Sequence, residues 1–486
     1  MHSEQIGKVI DGKQVPKSDA RRPKTQILTS LRERDWKPSE QHDLTEFSEQ
    51  LMSSVNMDVE ERFFNMMLGR LYFSDLPDRF ENISEAHEET FQWMFESDPQ
   101  HYNPDDWDNF TAWLSNATGD NLFWATGKPG SGKSTLMKFL FNNDRTWRNL
   151  QTWTNGRPLV KAGFFFWNSG TVMQMSRMGL LQSVLHTTLS DDKQTLKQLF
   201  KHRWQQFVAF GGGRQPVTWP ELLRAFKTMV SEPQTPRTFF FMVDGLDEFD
   251  GDSNELVDLV LDISKHPHVK VCVASRPLLV FSDAFEERPS LRLERLTRND
   301  IRKYVASHFA NNKHYARLTK LEPDGASKLV NDIVDKAAGV FLWVHLVVQS
   351  LLDGLSNADR MSDLTARLAA LPPSLEDLYD RLLTSLDANY FRHACQLFRL
   401  VVNRPRPLLL ELYFADNEDL NSAMTTQVKP LSKNQIVHRL EIMQRRLTSR
   451  CKGFLEVADW HSNPDSVLSE GERLTMVSIC RGLTYA

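Results

Sequence analysis

The run Gly127-Lys128-Pro129-Gly130-Ser131-Gly132-Lys133-Ser134-Thr135 constrains this chain more than any other feature. It satisfies the pattern G-x-x-x-x-G-K-[ST], follows the apolar stretch Leu122 to Thr126, and opens a helical pattern through Leu136, Phe139 and Leu140. A strand, a glycine loop and a helix in that order make a cradle for phosphate. Glycines remove the Cβ atoms that would block close approach, so successive N–H groups and the helix N-terminus can point at an anion. Within that loop Lys133 is placed to reach the β- and γ-phosphates of a nucleotide, and the Ser134 hydroxyl to take a position on Mg²⁺. All nine residues, Gly127 to Thr135, are candidate nucleotide contacts.

The surrounding pattern sets the fold class. Short apolar runs alternate with helical patterns at Leu122 to Thr126, Val160 to Trp167, Thr238 to Val243, Val269 to Ala274 and Leu291 to Leu293. That alternation predicts an α/β core, a parallel sheet of about five strands flanked by helices. Thr297-Arg298-Asn299-Asp300 reads as a helix start, with Thr297 as cap and Asp300 three residues on. Beyond Tyr315 strand patterns stop and helical ones continue, which predicts an all-helical domain after the core. With 486 residues there is room for about three domains. The expected division is a disordered segment at 1–41, a helical lead-in at 42–118, the phosphate-binding domain at 119–312, a helical domain at 313–395, and a partial winged-helix-like region with an atypical tail at 396–486.

Two further strand ends carry chemistry. Phe239 to Val243 is an apolar run that delivers Asp244, Asp247 and Glu248 to one edge of the sheet. Asp244 is the candidate Mg²⁺ ligand, and Glu248, with Asp247 as the alternative, the candidate for orienting an attacking water. Val269 to Ala274 ends in Ser275-Arg276, and Arg276 is placed to sense or neutralise a γ-phosphate.

These motifs, GKPGSGKST, FFFMVDGLDEF and VKVCVASRP, closely resemble NACHT domains of the STAND class of signalling NTPases, in particular fungal ones of self/non-self recognition. The resemblance extends upstream through RFENISEAHEETFQWMF and downstream through LRLERLTRNDIRKYV and GVFLWVHLVVQSLLDGL, about Phe63 to Leu386 in all. It implies ATP or GTP with Mg²⁺ as ligands, slow hydrolysis acting as a timer, and self-association in the triphosphate state, with an effector partner that the sequence does not name. Members of the class usually carry an N-terminal effector domain and a C-terminal repeat array, and neither is expected in this chain. Arg445 to Val457 begins in the style of a winged-helix-like domain, but the residues after Trp460 do not continue it.

Composition narrows the rest. A net charge of −5 gives no overall pull towards nucleic acid. Cys272, Cys395, Cys451 and Cys480 are widely spaced, which supports neither a disulfide framework nor a zinc site and fits a cytoplasmic protein. The most apolar helical stretch, Gly339 to Leu355, is broken by His345, Gln349, Ser350 and Asp353, so it reads as a buried helix and no membrane span is expected. Phe164 to Trp167 reads as a buried strand rather than a base-stacking platform, Gly211 to Gly213 as a flexible loop, His461 as an ordinary histidine, and Arg439, Arg445, Arg446 and Arg450 as a solvated helix face. Two alternatives to a switch remain: an AAA+-like machine with continuous turnover, and a binding-only remnant.

Overall fold

Five short runs become five strands because each is too short for a helix, and the central three are too apolar to face water. They are β1 (Leu122–Thr126), β2 (Leu159–Phe165), β3 (Thr238–Asp244), β4 (Val269–Ser275) and β5 (Ser290–Arg292). The computed structural model describes residues 59–96, 107–117, 119–210, 215–231, 237–384, 388–404, 407–416, 430–451, 455–460 and 474–479. The expectations for 1–41, Gly211 to Gly213, His461 and Cys480 lie outside the described residues. The chain divides into two compact units, one of Met1–Phe73 with Leu181–Thr235, the other of Ser74–Leu180 with Pro236–Ala486.

The second unit holds the sheet. Its strand order is β2-β3-β4-β1-β5, with every neighbouring pair parallel. All positions of β1, β3 and β4 are buried, as expected of central strands covered on both faces. The expected ends shift slightly: β2 stops at Phe165, two residues before Trp167, and Leu293 starts a short helix rather than ending β5. The helices that bear on the site are α1 (Asp78–Asn82), α2 (Phe110–Ser115), α3 (Lys133–Asn142), α4 (Arg298–Ala310) and α5 (Phe341–Ser356).

One core lies between the sheet and α2, α3 and the lead-in, and includes Phe91, Met94, Trp113, Phe123, Leu136, Leu140, Phe240 and Leu293. Buried Lys270 of β4 crosses it, donating to the Trp113 carbonyl at 2.7 Å beneath the rings of Trp113 and Trp153. A second core gathers α4, α5 and the helices up to Thr384 around Trp343, whose indole N–H donates to Pro372 O at 2.8 Å. α5 is thus the buried helix expected near Gly339 to Leu355, and no described helix is long and apolar enough to cross a membrane.

Three expectations need correction. α4 starts after Thr297 as expected, but Thr297 makes no side-chain cap bond; Asp300 instead accepts from Phe91 N at 3.2 Å and Trp93 Nε1 at 2.8 Å, so it ties the lead-in to α4. A buried carboxylate is better satisfied by two tertiary donors than by one local amide. Strands do recur after Tyr315, since β6 (Leu455–Trp460) and β7 (Leu474–Ile479) form an antiparallel pair. And of the arginines of the helix Lys433–Cys451, Arg445 is exposed as expected, but the other three are not simply solvated. Arg446 donates to buried Asp416 at 2.8 Å, Asp416 also bonds His393, Arg450 bonds His393, and Arg439 lies over Tyr413 and Phe414.

The first unit is helical among its described residues, with helices over 59–71, Lys193–Leu199, Lys201–Phe210 and Trp219–Ser231. Phe63 packs edge-on against Trp204 at 5.2 Å. Buried Arg203 grips Glu221 through Nε and Nη2 at 2.9 and 2.8 Å, and that pair holds the Glu221 carboxyl down at about 2.

Candidate nucleotide site at the strand ends

Parallel pairing alone brings the three motifs to one edge. Thr126 of β1 lies in register with Ser275 of β4, and β4 runs beside β3, which ends at Asp244. The glycine loop, the acidic turn and Arg276 therefore leave the sheet side by side at its carboxyl edge, where ligands of open α/β sheets sit. A cavity of about 460 Å³ opens there, lined by Pro129 to Thr135, Asp244, Asp247, Glu248 and Arg276.

The loop's shape depends on its glycines. Gly130 and Gly132 have φ of +69° and +96°, in the left-handed region, and Gly132 caps α3. A Cβ on Gly130 would also lie 2.9 Å from Leu342 Cβ, so only glycine fits that position twice over. Ser131 is fully buried and its Oγ has no hydrogen-bond partner among the described residues. A phosphate oxygen is the kind of acceptor such a hydroxyl lacks. Lys133 folds back over its own loop, donating to Gly127 O at 2.7 Å and Lys128 O at 3.1 Å, which is the use this structure makes of those two residues. Burial pushes the Lys133 ammonium below its usual range, against the pull of Asp247 and Asp244. An anion in the loop would relieve that cost.

The acidic turn is equally ordered. Gly245 at φ +73° lets the chain curl into the turn Leu246–Glu248, closed by Glu248 N donating to Gly245 O at 2.8 Å. Asp244 is 1% exposed at the strand end. Asp247 accepts from Arg276 twice, from the backbone N–H at 2.9 Å and from Nε at 3.0 Å. Glu248 Oε2 accepts from Asn168 N at 3.1 Å, and its Oε1 lies 3.6 Å from Arg79 Nη2. Ser134 and Asp244 offer the oxygen donors a Mg²⁺ ion takes, and Mg²⁺ needs only one or two from protein because substrate phosphates and water supply the rest.

Much of the wall was not foreseen as site. Asn82, Ser84, Glu85, His87, Thr90 and Phe91 of the lead-in, with Tyr304 of α4 and Phe341, Leu342 and His345 of α5, complete the cavity. Tyr304 Oη and His345 Nδ1 share a 2.9 Å bond. Leu342 N donates to Gly130 O at 3.0 Å, which seats the first turn of α5 on the glycine loop. Glu294 Oε2 accepts from Lys128 N at 3.3 Å, and Gly339, at φ +83°, passes so close to the Glu294 carbonyl that a Cβ would meet it at 2.0 Å. Only the family likeness of the flanking segments pointed to these regions; no residue in them has a pattern of its own.

The profile of the family described as "Nephrocystin 3, N-terminal" matches residues 89–276, which is the span from the lead-in to Arg276. The vegetative incompatibility protein HET-E-1 of Podospora anserina is 24% identical over 299 residues. Over that span the chain is similar to the NACHT class of STAND P-loop proteins. That relative aligns over 60% of this chain but only 21% of its own length, so the chain spans about a fifth of it. A second profile, described as a domain of unknown function (DUF7791), matches 385–479, which includes β6 and β7 after the five-stranded sheet and the helices that follow it. Among solved structures, Drosophila ORC bound to DNA is 12% identical with a TM-score of 0.34, over 83% of this chain and 95% of that one. The Walker-type ATPase PABY2304 of Pyrococcus abyssi is 14% identical with a TM-score of 0.29, over 79% and 97%. Neither likeness bears on what this chain binds.

Proposed function

We propose that the chain is a nucleotide-gated signalling switch that binds ATP or GTP with Mg²⁺ and hydrolyses it slowly. The observation that carries this reading is the bond from Leu342 N to Gly130 O, because it joins the helical region to the loop that would hold the phosphates. In this reading Gly127 to Thr135 cradle the nucleotide, Lys133 faces its β- and γ-phosphates, and Ser134 and Asp244 hold Mg²⁺, which neutralises phosphate charge when bound. Glu248 orients the attacking water. The engagement of Asp247 by Arg276 supports giving the water to Glu248 rather than to Asp247, and makes Arg276 the group that can report a γ-phosphate. ADP then favours a closed monomer and the triphosphate an open, self-associating form. A ligand moves such an equilibrium only by its differential affinity, and a full swing takes about 5.5 kcal/mol, within reach of several charge-assisted phosphate contacts. The proposed division keeps a phosphate-binding core at 119–312 and a helical domain at 313–395, in the cytoplasm, with a role akin to the incompatibility named for HET-E-1.

Light scattering after size exclusion tests the switch. With a non-hydrolysable ATP analogue the protein should form larger species than with ADP, and Arg276→Ala should keep ADP affinity while losing that difference. An identical monomer in both nucleotides would favour a binding-only remnant, and elicitor-independent turnover of order 1 s⁻¹ or faster would favour an AAA+-like machine.

A further inference from the structure

Arg79 is among the most deeply buried charged side chains described, 1% exposed, on a five-residue helix that precedes the glycine loop by about fifty positions. An arginine is seldom buried without a task for its charge. Its Nε donates to the Phe166 carbonyl at 3.2 Å, its guanidinium lies over the Trp167 ring at 5.6 Å, and Nη2 faces Glu248 Oε1 at 3.6 Å. Phe166 N in turn donates to Asp244 O at 3.0 Å, so the segment just past β2 is fastened to the end of β3 on one side and to Arg79 on the other. The same segment supplies Asn168 N, the donor to Glu248 Oε2. Each carboxylate oxygen of Glu248 thus faces a positive or N–H group whose place depends on Arg79. The helix itself is held at its end, because buried Lys138 of α3 donates to Glu81 O in its last turn at 3.4 Å and to Ile83 O just beyond it at 2.7 Å.

From this geometry we infer that Arg79 is a positioning residue for hydrolysis: it fixes the orientation of the Glu248 carboxylate towards the attacking water. The inference rests on the reading of Glu248 given above. In the reaction water oxygen bonds to the γ-phosphorus, the bond from that phosphorus to the β–γ bridging oxygen breaks, and the nucleoside diphosphate leaves. Glu248 accepts the proton that the water gives up and releases it to the phosphate product. A carboxylate can do so only from a narrow range of positions, which is what two fixed neighbours secure.

The test is single-turnover hydrolysis of ATP with Mg²⁺ by the full chain, paired with ATP affinity by titration. Arg79→Met should slow hydrolysis by roughly tenfold or more with affinity within about twofold of wild type, and Arg79→Lys, which keeps the charge, should recover part of the loss. In a Glu248→Gln background Arg79→Met should cost nothing further, since its route to the water is already gone. An equal loss in both backgrounds, or a fall in affinity matching the fall in rate, would mean a merely structural arginine and overturn the inference. If Arg79→Met does not fold, Arg79→Lys in both backgrounds decides: a loss in wild type only supports the role, and no loss or equal losses end it. Glu248→Gln hydrolysing at the wild-type rate would remove the base itself while leaving nucleotide binding intact. Failure of the wild type to bind ATP or ADP would remove the proposed function instead.

Discussion

Gly130 shows how much one residue can carry at this site. Its φ of +69° excludes a side chain on backbone grounds, and Leu342 excludes one on space. Gly130→Ala should therefore destabilise the protein by about 1–3 kcal/mol, read as a lower midpoint in urea, and weaken ATP binding as well. An unchanged midpoint would mean the loop and α5 are not held as described. Lys133 is a different case, because its partners here are carbonyls of its own loop and it leaves the core untouched. Lys133→Ala should weaken ATP by about 100-fold, the value of a lost charge-assisted contact, with little change in thermal midpoint. Titration calorimetry would show it, and equal affinity would contradict the assignment. At this scale the sequence was informative where spacing is itself chemistry: a glycine loop ending in Lys-Ser can be read in one dimension. Arg79 could not be read so, since Asp78-Arg79 looks like any solvated pair, and its burial is a property of what lies 87 residues away at Phe166.

Among the elements, β4 offers a check by pH. Burial lowers the Lys270 ammonium from 10.5 to about 8. Between those values the unfolded chain holds a proton that the folded chain has released, so stability should rise with pH across the window. Wild type should gain on Lys270→Met by up to about 3 kcal/mol from pH 8 to 10.5, as measured by urea unfolding. Parallel curves for the two proteins would show that Lys270 keeps its proton. The central strands were legible because each is a dense apolar run closed by polar residues, and their parallel sense, though not their order in the sheet, followed from the helices between them. Boundaries moved by a residue or two at β2 and β5, where pairing rather than composition ends the strand. The role of Asp300 was misread because a local capping pattern and a tertiary pair use the same residue, and only the fold brings Phe91 and Trp93 to it. The pair β6 and β7 escaped notice because residues 461–473 separate the two strands, so no short turn joins them into a recognisable hairpin.

For the whole molecule the central claim is that phosphate occupancy and the helical region are coupled. The contact is small and specific. Leu342 N belongs to the first turn of α5, where helix geometry supplies no acceptor, and Gly130 O provides one. None of this was visible in the sequence, since a bond between positions more than 200 residues apart depends on how the chain returns to its own loop. Hydrogen–deuterium exchange over 339–348, measured without nucleotide, with ADP, and with a non-hydrolysable ATP analogue at saturation, reads that bond directly. The account predicts slow exchange with ADP, faster exchange with the ATP analogue, and a response to the ATP analogue that is lost in Lys133→Ala at the concentration that just saturates wild type. Identical exchange in all three states of a wild type shown to be saturated would contradict it.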